Sequence, residues 1–140
     1  MKKDTSKLLA ELEKSEDFKK YYTENNDSFV KTSLREQLDA LIEKHGLKKS
    51  EIIRRSGMSN NYAYQIFNGL RVPEREKLLC LCVAMSLSLD ETQTLLKTCS
   101  YSQLYVKIPF DCVVIYGIIH SMSVIELNCL LFDYGFETLG

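Results

Sequence analysis

Proline occurs only twice in this chain of 140 residues and glycine six times, which leaves little to interrupt helices or to build the tight turns of a sheet protein. Alternating apolar and polar residues are equally scarce, so an all-α fold is expected. No stretch approaches the roughly 18 uncharged apolar residues of a membrane-spanning helix, and the charged N-terminus lacks the apolar run of a signal peptide. A cytoplasmic protein with no membrane contact is expected. The chain has two histidines, His45 and His120, no glycine-rich phosphate loop and no tight acid cluster. Those absences argue against an enzyme, and no cofactor is expected. Asp39 and Glu43, one helical turn apart, read as a solvated helix face rather than a catalytic carboxylate pair. The five cysteines, Cys80, Cys82, Cys99, Cys112 and Cys129, include no CxxC pair, so the spacing of a zinc site is missing and no metal is expected. Lying mostly in apolar runs, they are expected to be buried, reduced thiols.

What the chain does contain is a pair of short helical patterns between Leu47 and Gly69. Leu47, Ile52 and Ile53 mark an apolar face on the first, and Met58, Tyr62, Ile66 and Phe67 recur at helical spacing on the second. Gly57 stands where the first helix must stop and can take the left-handed conformation that such a stop uses. Ser59 is placed to cap the second helix near Tyr62. Two short helices joined by a tight glycine turn make a helix-turn-helix, whose second helix enters the DNA major groove by its N-terminal end. That end carries Asn60, Asn61 and Tyr64. The net charge of −1 conceals a gradient along the chain. Residues 1–44 carry nine Lys and Arg against ten Asp and Glu, residues 45–77 seven against three, and residues 78–140 two against six, giving −1, +4 and −4. Positive charge thus coincides with the motif, as phosphate binding requires.

The segment resembles the lambda repressor and Cro group, the XRE family, over roughly residues 33–99. The glycine turn, the pattern of the second helix, the closing Phe67-Asn68-Gly69 triplet and the two helices that follow carry the likeness. It implies a lambda repressor-like module in which the helix 59–68 enters the groove. By the same resemblance Lys49, Asn60, Asn61 and Tyr64 match base-reading positions, and Asn68 a phosphate contact. Their chemistry agrees: asparagine pairs bidentately with adenine, and lysine donates to guanine O6 and N7. Arg54, Arg55 and Arg71 add phosphate-binding charge. One departure is Ile53, where the family places a small residue, facing Ala63, where it prefers a branched aliphatic. The pair reads as an exchange of large and small that conserves volume.

Three regions are expected around the motif. Residues 1–30 form a helical leader with Leu8, Leu9, Leu12, Phe18, Tyr21 and Tyr22 as its apolar positions and a loop at residues 24–28, packed rather than a mobile arm. Residues 31–100 form the DNA-binding module. Within it, Ser33 and Glu36 make a capping box for a helix that buries Leu34, Leu38, Leu41 and Ile42 and ends near His45, a residue suited to a helix C-terminus. Helices from Glu74 to about Met85 and from about Asp90 to Cys99 follow. Residues 101–140 are acidic and very apolar. Pro109 in a first turn and a capping box of Ser123 with Glu126 predict two helices there, although the β-branched run around Val113–Ile119 also suits a strand. Ile119, Leu127, Leu130, Leu131 and Phe132 add apolar surface beyond the needs of the module, which is assigned to the core and to a homodimer. These observations point to a transcriptional regulator that binds double-stranded DNA sequence-specifically. The alternative is a helix-turn-helix scaffold that binds another protein through its C-terminal helices, as an antagonist or assembly adaptor.

Overall fold

The computed structural model describes residues 4–25 and 33–140, and every regular element among them is an α-helix. None of these helices is long and apolar enough to cross a membrane. The chain divides into two compact units, with the break between residues 32 and 33. The first unit holds α1 (Thr5–Lys14) and α2 (Phe18–Glu24), started by Asp4 and Asp17, whose carboxylates accept the Lys7 and Lys20 N–H groups. Tyr21 is buried, and its hydroxyl donates to the Leu8 carbonyl at 3.1 Å. Leu9, Leu12, Phe18 and Tyr22 remain exposed. The expected loop begins at Asn25, while residues 26–28 and the expected boundary near residue 30 lie outside the described residues.

The second unit contains α3 (Leu34–Lys44), α4 (Lys49–Ser56), α5 (Asn60–Phe67), α6 (Arg75–Ala84), α7 (Leu89–Thr98), α8 (Pro109–Ile119) and α9 (Val124–Asp133). Helix α6 is its axis. From Leu78 to Ala84 every residue is buried, so beyond its charged first turn this helix has no polar side, and α4, α7 and α9 pack around it. Helix α3 lies on α5 and α7, and α8 bridges α7 and α9. A single apolar core runs through Leu38, Ile52, Phe67, Leu79, Leu95, Leu127 and Leu131, so α8 and α9 complete the same core as the helices before them. Gly117 permits the α8–α9 contact, because a Cβ there would sit 2.7 Å from Leu127 Cδ1. Residues 109–119 are helical, which decides against the strand: Pro109 occupies the first turn, where a missing N–H costs nothing.

Side-chain caps define the boundaries. Ser33 accepts the Glu36 N–H at 3.2 Å, and complete capping boxes join Ser88 to Glu91 and Ser123 to Glu126. The cap that starts α7 is therefore Ser88. His45 ends α3 as expected, and its Nε2 also lies 3.0 Å from the Glu91 carboxylate, which accepts from Lys44 Nζ at 2.9 Å. Partial burial pushes the Glu91 carboxyl up, but the Ser88 backbone N–H, Lys44 and His45 outweigh it and hold the group at about 2. A second anchor is Asp111, only 2 % exposed, whose carboxylate takes Arg75 Nη1 at 3.3 Å and Nη2 at 3.2 Å and the Tyr105 N–H at 3.0 Å. Leu41 and Ile42 are half-buried rather than buried, unlike Leu34 and Leu38. The cysteines also depart from expectation: Cys80 and Cys82 are buried, Cys99 is half-buried, and Cys112 and Cys129 are exposed on the outer sides of α8 and α9. Apolar runs on these helices wrap around the whole circumference, so membership of a run does not place a thiol in the core. Burial pushes the Cys82 thiol up to about 12 and that of Cys80 to about 11.

Candidate nucleic-acid interface

Helix α4 stops because Gly57 takes φ +74°, and its N–H donates to the Ile53 carbonyl at 3.1 Å. The Ser56 hydroxyl donates to Ile53 O at 2.8 Å and accepts the Met58 N–H at 3.2 Å, tying the turn on its inner side. Two residues later the Ser59 hydroxyl accepts the Tyr62 N–H at 3.2 Å and starts α5. Ala63, Ile66 and Phe67 then point into the core, and Ile53 of α4 is buried with them. A helix of eight residues with that face buried must turn Asn60, Asn61 and Tyr64 outward, and all three are exposed. Neither asparagine amide is engaged by another side chain among the described residues. Tyr64, 41 % exposed, rests edge-on against Phe67 with ring centroids 6.5 Å apart, which fixes its direction.

The cations are arranged unevenly around this surface. Lys49 is half-buried at the start of α4, its Nζ 3.8 Å from an Asp39 carboxylate oxygen and 5.7 Å from the Phe67 ring centre. It therefore sits beside the end of α5, away from Asn60 and Asn61 at its start. Arg55 pairs loosely with Glu51 at 3.6 Å across one turn of α4, whereas Arg54 is exposed and has no ion pair among the described residues. Arg71 is held without a carboxylate: its Nε donates to Gln65 Oε1 at 2.8 Å and its guanidinium lies 5.3 Å from the Tyr62 ring centre. Asn68 ends α5, is exposed, and offers its carbonyl to Arg35 Nη1 at 3.3 Å. Asn60, Asn61 and Tyr64 thus share one face, while Asn68 and Arg71 lie together at its far end.

Two further cations lie beside residues of α5 and carry no mark in the motif. Arg35 belongs to α3, and only the packing of α3 on α5 brings it to Asn68. Lys77 belongs to α6, and its Nζ lies 5.8 Å from the Tyr62 ring. Helical spacing shows each on its own helix, but no local signal links either to α5. Elsewhere the chemistry is sparse. Among the described residues no group of three or more His, Cys, Asp or Glu is placed to hold a metal ion. A hollow of about 540 Å³ in the first unit is lined by residues of both charges, including Glu11, Lys14, Asp17 and Lys20. No protein-family model matches this chain, and no curated protein and no solved structure is detectably similar to it.

Proposed function

We propose that this chain is a lambda repressor-like regulator that binds double-stranded DNA sequence-specifically by inserting α5 into the major groove. One observation carries the reading: Asn60, Asn61 and Tyr64 project together from the first turns of a helix whose opposite face is buried. The helix belongs to the one part of the chain with a surplus of positive charge, seven Lys and Arg against three Asp and Glu over residues 45–77. Asn60 and Asn61 present donor and acceptor to base edges, and Tyr64 presents an apolar ring edge with a hydroxyl. Lys49, held by Asp39 beside the end of α5, enters this reading through the resemblance alone. Arg54, Arg55, Asn68 and Arg71 face the phosphates on either side. A two-fold dimer places two such helices about 34 Å apart, one helical turn of DNA. Regulation then follows from occupancy. Selection from a random duplex library tests this directly, with enrichment of one motif, repeated as an inverted pair, expected. No enrichment, together with no mobility shift at low salt, overturns the proposal.

The rival is a scaffold that binds another protein, supported by the exposure of Ile125 (75 %) and Phe132 (74 %) on α9 within the acidic third of the chain. Under that reading Phe132→Asp abolishes partner binding and Asn61→Ala changes nothing. The DNA reading inverts the second outcome.

A further inference from the structure

A cleft of about 260 Å³ lies between the start of α3 and the end of α5. Its polar lining is Ser33, Arg35, Asn68 and Arg71, and Ile66 and Val72 form apolar walls. Two arginines line it, and neither guanidinium has an ion pair among the described residues. Both are instead held by neutral partners. Arg35 gives one N–H to the Asn68 carbonyl, and Arg71 gives its Nε–H to Gln65 while lying near the Tyr62 ring. The Arg35 stem packs against the backbone at Gly69, where a Cβ would meet Arg35 Cδ at 3.2 Å, so the side chain is positioned as well as charged. Each guanidinium keeps unused donors, and two arginines on one cleft with no ion pair among the described residues suit a tetrahedral oxyanion, which arginine recognises by paired N–H bonds.

The distance from the base-reading residues identifies the oxyanion. Helix α5 has eight residues, which at 1.5 Å per residue is about 12 Å of axis, comparable with the roughly 12 Å width of the major groove. With Asn60 and Asn61 over base edges, the end of the helix at Asn68 comes level with the sugar-phosphate strand that borders the groove. We propose that this cleft holds one backbone phosphate of bound duplex DNA, and that Arg35, a residue of α3 outside the helix pair, grips it together with Arg71. The inference rests on the DNA-binding reading above and adds to it a ligand position and a residue.

The test uses the full chain and the duplex selected by the wild-type protein. Arg35→Gln is expected to weaken every duplex alike and to lower the slope of log K against log salt by about one, so that affinity falls about three- to four-fold less between 50 and 200 mM salt than in the wild type. Arg35→Lys, which keeps the charge and most of the stem, is expected to retain the slope. Replacing backbone phosphates one at a time by neutral methylphosphonate then locates the contact: one position is expected to weaken the wild type several-fold and leave Arg35→Gln unaffected. If every position weakens both proteins equally, or the slope of Arg35→Gln is unchanged, Arg35 touches no phosphate and the inference fails while DNA binding stands. If the wild type binds no duplex at all, the DNA reading fails and with it this assignment of the cleft. Titration with inorganic phosphate, followed at the Gly69 and Arg71 amide resonances, then shows whether the cleft binds oxyanions in its own right.

Discussion

Three serines occupy positions where glycine is the usual choice. Ser86, Ser100 and Ser121 follow α6, α7 and α8 with φ of +54°, +60° and +52°, and each donates its N–H back to the preceding helix. A side chain in the left-handed region costs about 1–2 kcal/mol, part of which glycine returns through its greater freedom in the unfolded chain. Ser100→Gly and Ser121→Gly are therefore each expected to stabilise the fold by about 0.5–1 kcal/mol, read from urea unfolding midpoints. Glu91 gives a pH dependence of definite sign. Its carboxyl is held at about 2 against an ordinary 4.5, so folding favours the ionised form. That stabilisation is complete above the ordinary value and is lost as pH falls from there through about 2. Glu91→Gln is expected to unfold more readily at pH 7 and to lose less stability than the wild type between pH 5 and 2. On the proposed recognition surface, Asn61→Ala is expected to change the preferred base at one position by about 1–3 kcal/mol. Arg55→Ala, by contrast, is expected to weaken all duplexes alike. Equal loss on every duplex from both changes places the base-reading surface elsewhere.

The helix pair α4 and α5 was legible because its signals are local: a stop glycine, a capping serine and an apolar stripe act within a few residues of one another. Ile53 and Ala63 are both buried where the two helices meet the core. Between α8 and α9 the decisive residue is less conspicuous. Gly117 lies inside a helix, where glycine is usually a weakness, and its purpose appears only with Leu127 across from it. Leu127 is fully buried and has little room to retreat, so Gly117→Ala is expected to cost about 1–3 kcal/mol in thermal or urea unfolding. An unchanged midpoint shows that the two helices can part freely. Helix α9 is also tied to the rest of the fold by the segment after it. Asn128 accepts the Leu139 N–H at 2.8 Å and donates to its carbonyl at 3.2 Å, and Lys77 Nζ reaches the Gly140 carbonyl at 2.7 Å.

The surplus apolar surface of residues 101–140 is partly absorbed into the core and partly left outside. Val114, Ile118, Leu127 and Leu131 are buried, whereas Ile119, Ile125, Phe132 and Tyr134 are exposed. In the dimer proposed above, burying such residues between two copies supplies the two-fold symmetry that paired half-sites require. Phe132→Asp is expected to shift the chain from dimer to monomer in sedimentation at micromolar concentration and to weaken binding to the paired site much more than to a single half-site. A wild-type monomer at that concentration removes the dimer and leaves single-site DNA binding to be judged separately.

Helix positions, caps and the polarity of α5 follow from neighbours in the chain, since capping and helical periodicity act over one or two turns. The charge segregation is likewise a property of order along the chain. Contacts between distant positions were beyond such reasoning: Arg75 with Asp111, Lys44 with Glu91 and Arg35 with Asn68 are separated by 36, 47 and 33 residues. Each depends on how helices cross, and that is set by the sum of many small packing contacts rather than by any local pattern. The same cause divides the cysteines. A helix apolar on every side carries no mark of which side will be covered, so only packing put Cys80 and Cys82 inside and left Cys112 and Cys129 on the surface.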